Sequence, residues 1–302
     1  MKKGIWYAIG AYALWGILPV YWKLLHHVPA IQLISHRIVW SFCALLIVIL
    51  ATYRWKEFQS LVRNPRTLRI YLAAAVLIGI NWLTYVWAVN SEHIIETSLG
   101  YFINPLLSVL IGVIFLREHL RTFQWIPLGL AAAGVLYLTI VYGALPWIAL
   151  TLAFSFASYG LVKKIAPLGS LYGLTLETGI LIIPAFAYLL YSDSIGAGAF
   201  LHTGTFSDSL MMGAGVVTTI PLLMFASATQ RIPLSLVGIL QYITPTLGLL
   251  IGIFIYHEQF TYIHFIGYGM VWLALFLFAI EKYVAHRAES ETVNEAALND
   301  LL

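Results

Sequence analysis

Ten runs of apolar residues, at roughly 5–25, 32–52, 69–89, 97–116, 123–142, 145–163, 170–191, 209–229, 236–256 and 264–283, are each long enough to cross a bilayer as a helix. A crossing helix needs about 20 such residues, and hydrocarbon tolerates only segments whose backbone amides are paired internally. Charge is scarce to match: 10% of the 302 residues are charged and 61% are apolar, against about 25% charged in a soluble domain. The chain therefore reads as an all-α polytopic membrane protein with ten transmembrane helices. Runs separated by only a few residues, as around 142–146, must pair as antiparallel hairpins.

Charge orients the spans. Fourteen of the 16 Lys and Arg fall on one side of the ten-span arrangement, leaving Lys23 at the end of the first span and Arg37 within the second. The positive-inside rule then places both termini in the cytoplasm. The run after Met1-Lys2-Lys3 contains Trp15, Pro19 and Trp22 and no small-x-small cleavage site, so it reads as a first anchor that stays. Cys43 stands alone in IVWSFCALLIVIL and reads as a small buried hydrophobe. No metal or cofactor is expected. A net charge of +3 is carried by bases scattered through short loops, which gives no footing for nucleic acid.

The chain also repeats itself. SLGYFINPLLSVLIGVIFLREHL (98–120) aligns with GILQYITPTLGLLIGIFIYHEQF (238–260), with identities at Ile103/Ile243, Pro105/Pro245, Leu107/Leu247, Leu110/Leu250, Ile111/Ile251, Gly112/Gly252 and Glu118/Glu258. AYALWG (11–16) faces SFASYG (155–160) at nearly the same offset. Each copy holds five spans, an odd number, so the second must enter from the opposite side. The expected organisation is two inverted five-helix repeats, 1–143 and 144–284, followed by a short cytoplasmic tail, 285–302. Substrate in such frames usually binds near the midplane, between the repeats.

Pro105 and Pro245 lie inside their spans and free the carbonyls of Tyr101 and Gln241, so both are expected to bend or break a helix. Their polar neighbours, Tyr101 and Asn104 in one copy and Gln241, Tyr242 and Thr244 in the other, are placed to line a cavity; a kink packed between helices is the alternative. Asn81, Trp82, Trp87 and Asn90 share the third span and are further lining candidates. Gly112, Gly248 and Gly252 fit close helix packing. His36, Arg37 and Glu177 are intramembrane polar groups, which usually face a bundle interior, a wet cavity or a partner. Glu177, the deepest acid, is the first candidate for proton coupling or for pairing a cationic substrate, with structural pairing as the alternative. Arg37 could equally snorkel to the headgroups. Glu118 and Glu258 end matched spans on opposite faces and could close alternate gates by pairing with loop bases, although charged helix ends are ordinary in headgroups. The basic loop 54–66 reads as an anchor on the inner leaflet.

The blocks WAVNSEHIIETSLGYFINPLLSVLIGVIFLREHL, AYALWGILPVYWK, SHRIVWSF, SFASYGLVKK and LQYITPTLGLLIG resemble the RarD branch of the EamA-type drug/metabolite transporter superfamily. That resemblance covers nearly the whole chain. It implies an inner-membrane permease with ten spans in two inverted repeats, small-molecule efflux or exchange, and a cavity framed largely by the third, fourth, eighth and ninth spans. On these positions it favours Asn81, Trp82, Tyr101, Asn104, Gln241, Tyr242 and Thr244. Small multidrug relatives carry a glutamate in the first span, and YAIGAYALWGILPVYW has none, so any coupling carboxylate lies elsewhere.

The expected activity is secondary transport of a small polar or amphipathic metabolite, such as an amino acid or drug-like compound. Its partners are the lipid bilayer, the substrate and, as a candidate, a coupling proton, in a monomer or weak dimer. No phosphate-binding loop points to ATP. A membrane enzyme would need clustered polar groups at one face. His26, His27, His93, Glu92 and Glu96 come nearest, without a metalloprotease pattern. A non-transporting scaffold or sensor would have an apolar centre.

Overall fold

The structure, a computed structural model, describes residues 1–91, 93–143, 146–257, 262 and 265–281. It is built from α1 (Lys2–Leu24), α2 (Ala30–Ala51), the short α3 (Trp55–Val62), α4 (Pro65–Asn90), α5 (Ile94–Phe115), α6 (Trp125–Tyr142), α7 (Trp147–Ile165), α8 (Ser170–Ser194), α9 (Thr205–Thr229), α10 (Leu234–Leu240), α11 (Ile243–Phe254) and α12 (Phe265–Glu281). Counting α10 and α11 as one span, nine segments among the described residues are long and apolar enough to cross a membrane. The α12 helix is apolar but shorter. The protein is thus an all-α polytopic membrane protein.

Local chemistry sets the ends. Asn64 accepts the Arg66 backbone N–H at 2.9 Å while Pro65 opens α4, a proline placed where no amide is needed. Gly143 closes α6 with φ of 76°, the left-handed turn that glycine adopts without cost. Large apolar side chains such as Ile183 and Phe254, both 72% exposed, would be a liability in water and are what a lipid-facing surface requires.

Two compact units result, and neither is a half of the sequence. The first combines Met1–Glu118 with Pro146–His257; the second holds the described residues of His119–Leu145 and Glu258–Leu302. In the second, α6 and α12 pack antiparallel. Gln124 donates to Glu281 at 2.8 Å, Gly134 faces Met270, and Gly267 faces Leu138.

In the first unit, contacts fix helix directions. Tyr21 meets Leu210 and Gly4 meets Ile232, so α1 and α9 are antiparallel. Trp87 meets Trp147 and Asn81 meets Leu152, so α4 and α7 are antiparallel. Gly100 lies on Ala149 while Gly112 and Gly160 both meet the start of α10, making α5 parallel to α7, and Tyr12 meets Thr244 while Lys23 lies over Tyr256, making α1 parallel to α11. Pro105 and Glu118 meet Gly238 and Leu234, so α5 runs against α10. Hence α1, α4, α10 and α11 point one way and α5, α7 and α9 the other. The α2–α9 crossing is close: a Cβ on Gly215 would stand 2.4 Å from the Trp40 backbone carbonyl carbon, and Ser41 donates to the Gly215 carbonyl at 3.0 Å. Only a residue without a side chain permits that approach.

The two prolines behave differently. α10 and α11 are separated at Gln241–Tyr242, one turn before Pro245, as expected from the freed carbonyl. In contrast, α5 runs unbroken from Ile94 to Phe115 through Pro105. A proline removes one ladder bond, and a helix can resume around it when packing holds both sides. Here α10 lies against the Pro105 carbonyl, 2.7 Å from where a Gly238 Cβ would sit.

Candidate functional site

A cavity of about 160 Å³ opens within the first unit, well above what one water needs. Its walls come from Tyr12 to Trp22 of α1, Arg37 of α2, Ile78 to Tyr85 of α4, Thr97 to Asn104 of α5, Leu152 and Phe156 of α7, Thr218 and Leu222 of α9, and Gln241 with Thr244 at the helix break. These stretches are the C-terminal halves of α1 and α4 and the N-terminal halves of α5 and α7. Given the helix directions, all of them sit toward the same end of the unit.

Of the residues expected to line a cavity, Asn81, Trp82, Tyr101, Asn104, Gln241 and Thr244 do so. Tyr242 does not: it is 3% exposed, and its hydroxyl donates to the Phe102 carbonyl at 3.3 Å, clamping the break against α5. Trp87 is also elsewhere, stacked on His93 and tilted against Trp147. Several lining groups also hold the frame. Asn81 donates to the Leu152 carbonyl at 2.9 Å and to Ser155 at 3.1 Å, and Thr244 donates to the Tyr12 carbonyl at 2.9 Å. The Tyr12 hydroxyl and Gln241 Oε1 are buried without a hydrogen-bond partner among the described residues.

Arg37 places a cation in the cavity wall. Its Nε donates to Thr218 at 3.0 Å, and its guanidinium lies 4.7 Å from the Trp22 ring centroid and 5.1 Å from that of Trp82. Such aromatic faces stabilise a guanidinium without neutralising it. Among the described residues, no carboxylate forms an ion pair with it. The neighbouring His36 points elsewhere, its ring against Phe200 at 5.1 Å.

Below the cavity the unit is closed. Tyr12, Phe156, Tyr159 and Phe225 form a ring cluster, with Tyr159 stacked on Phe225 at 5.9 Å. Beyond it Glu177 is 1% exposed and receives Lys163 Nζ at 2.6 Å and the Tyr159 hydroxyl at 2.8 Å. Depth alone pointed Glu177 toward proton coupling or a cationic substrate. Instead its carboxylate is matched by a buried lysine and is not part of the cavity wall. Lys163, expected at the cytoplasmic face, gave no hint of burial in the sequence except its place one helical turn beyond Tyr159.

Glu118 also has an unexpected partner. Its carboxylate accepts the backbone N–H groups of Leu234 at 2.6 Å and Ser235 at 2.8 Å, at the start of α10, rather than a loop base. Arg117, at φ of 53°, turns the chain back so that the carboxylate lies over Gly112. Its sequence counterpart Glu258, like Glu92, lies outside the described residues. Sequence reasoning missed Tyr12, Trp15, Trp22, Tyr85 and Thr218 as wall residues; the aromatic density of AYALWGILPVYW was the available signal.

The sequence profile of the EamA-like transporter family matches residues 2–140. An uncharacterized transporter of Bacillus subtilis, YojE, is 45% identical over 95% of this chain and 97% of its own. Protein RarD of Streptomyces exfoliatus is 42% identical over 98% of this chain and 94% of its own. Protein RarD of Escherichia coli K12 is 38% identical over 96% and 98%. A solved crystal structure superposes with a TM-score of 0.68 at 17% identity, covering 91% of this chain and 96% of that one, a likeness of fold alone.

Proposed function

This chain belongs to the EamA-like transporter family, alongside the RarD proteins, and on that premise we propose that its cavity carries a small polar or amphipathic metabolite by alternating access. As a member of that family it is a secondary transporter and not an enzyme. The observation that carries the mechanism is the asymmetry of the first unit. A cavity holding Arg37, Asn81, Asn104 and Gln241 gathers toward one end, and aromatic packing, the Lys163–Glu177 pair and the Glu118 contact with α10 close the other.

Inverted repeats are the natural frame for this, and three features support them. The matched segments α1 and α7 run in opposite directions, as do α4 and α9, and α5 and α10–α11. The packing of α1 on α9 is mirrored by that of α7 on α4. Arg117 and His257, equivalent in the repeat, both take positive φ, 53° and 54°. With the basic residues inside, the cavity faces outward and the closed end faces the cytoplasm. The tenth span contains α12, and both termini are cytoplasmic. Glu118 acts as the inner gate contact, released when α10 moves.

The test is counterflow in vesicles containing purified protein, loaded with a metabolite mixture and challenged with labelled compounds. Saturable exchange is expected. Its absence across a broad screen, with protein verified as folded, would refute the transport mechanism.

A further inference from the structure

Resting on the transport reading above, we propose that Arg37 binds a single carboxylate of the transported compound, making the cargo a small carboxylate-bearing molecule with an aromatic or apolar body. An intramembrane cation is costly unless a partner or water meets it. Among the described residues Arg37 hydrogen-bonds only Thr218, through Nε, and no acid pairs with it. Both terminal nitrogens of the guanidinium thus keep their donors for something else, and a carboxylate is the group whose two oxygens match that fork.

The surroundings narrow the class. Among the described residues Arg37 is the one Lys or Arg in the cavity wall, which suits a monoanion better than a phosphate dianion. Trp22 and Trp82 set their ring faces against the guanidinium, the Tyr85 and Tyr101 phenols lie near it, and Trp15 and Phe156 supply flat apolar wall. Among the described residues no wall residue is acidic, so an ammonium on the cargo would rely on the aromatic faces.

Matched probes test this. Purified protein in detergent is titrated with phenylacetate, indole-3-acetate and L-phenylalanine and with their carboxamides, following tryptophan fluorescence and thermal stabilisation. The carboxylates should bind at least about tenfold more tightly than the amides, since a charge-assisted hydrogen bond is the difference. R37Q should abolish that preference, and R37K, which keeps the charge and loses the fork, should retain only part of it. T218V, which removes only the positioning hydroxyl, serves as the second variant if R37Q misfolds, and should weaken carboxylates without affecting amides. Equal binding of acids and amides, binding of none of the three acids, or an unchanged preference in R37K and T218V would overturn the assignment. Counterflow separates it from the transport reading. Saturable exchange confined to amides would leave transport standing and remove the carboxylate site, whereas Arg37-dependent binding without exchange would do the reverse.

Discussion

Lys163 Nζ stands 2.6 Å from Glu177 Oε1, and each side chain is 1% exposed. Two helices joined by a short turn, α7 and α8, are thereby locked through opposite charges, with the Tyr159 hydroxyl on the second carboxylate oxygen and the Tyr71 ring 5.4 Å from the ammonium. Buried pairs of this kind contribute little over an apolar substitute, but removing one partner strands the other.

E177Q should therefore destabilise the protein by about 3–5 kcal/mol, with K163M/E177Q recovering much of the loss. Thermal unfolding in detergent measures both. A K163M/E177Q double variant no more stable than E177Q would contradict the pairing argument. Per folded molecule, the response of exchange to a proton gradient should be the same in E177Q as in wild type, and a lost response would restore the coupling role to Glu177.

Glu118 and Gly112 form one device. E118Q keeps an acceptor for one N–H and loses the charge, and hydrogen bonds to charged groups are worth about 1.5–3 kcal/mol. The closed end should open about tenfold more often. A cysteine replacing buried Ala8, in a C43S background, should then react faster with a membrane-impermeant thiol reagent applied from the N-terminal side. Unchanged labelling would mean that Glu118 does not hold that end shut.

G112A should act in the same direction. Its new Cβ would stand 2.7 Å from Glu118 Oε2 and 3.0 Å from the Ser235 nitrogen, whereas a Cβ on Gly248 meets nothing within 4 Å. Labelling of the Ala8 cysteine should rise in G112A and stay at the background level in G248A. Equal behaviour of the two would show that the fold-back over Gly112 is not under steric control.

N81A removes two donations that tie α4 to α7. It should lower stability by about 1–3 kcal/mol as well as change the cavity wall. N81D, which cannot donate to the Leu152 carbonyl, should fare no better. Melting temperatures near wild type in both would mean that α4 and α7 are held by apolar packing alone.

Hydropathy and spacing made the spans legible because lipid imposes one rule on every residue of a crossing segment. The missing N–H at Pro105 and Pro245 was legible, but which of the two helices would be interrupted was not, because packing decides it. What escaped was decided across helices. Nothing local tells Lys163 that it faces Glu177, or Glu118 that its partner is a pair of backbone amides 116 and 117 positions away. Trp87 and Tyr242 look like wall residues by neighbourhood, yet helix phase and packing turn them elsewhere. Arg37 was recognisable as unusual, but its aromatic sandwich depends on α1 and α4 crossing beside it.

FINP sits in an unbroken helix and YITP begins at an interruption, although the two stretches align in sequence. The same Ile-x-Pro spacing thus occurs in two shapes within a single molecule, and what differs is the neighbour: a second helix is seated against the Pro105 carbonyl where the straight form is kept.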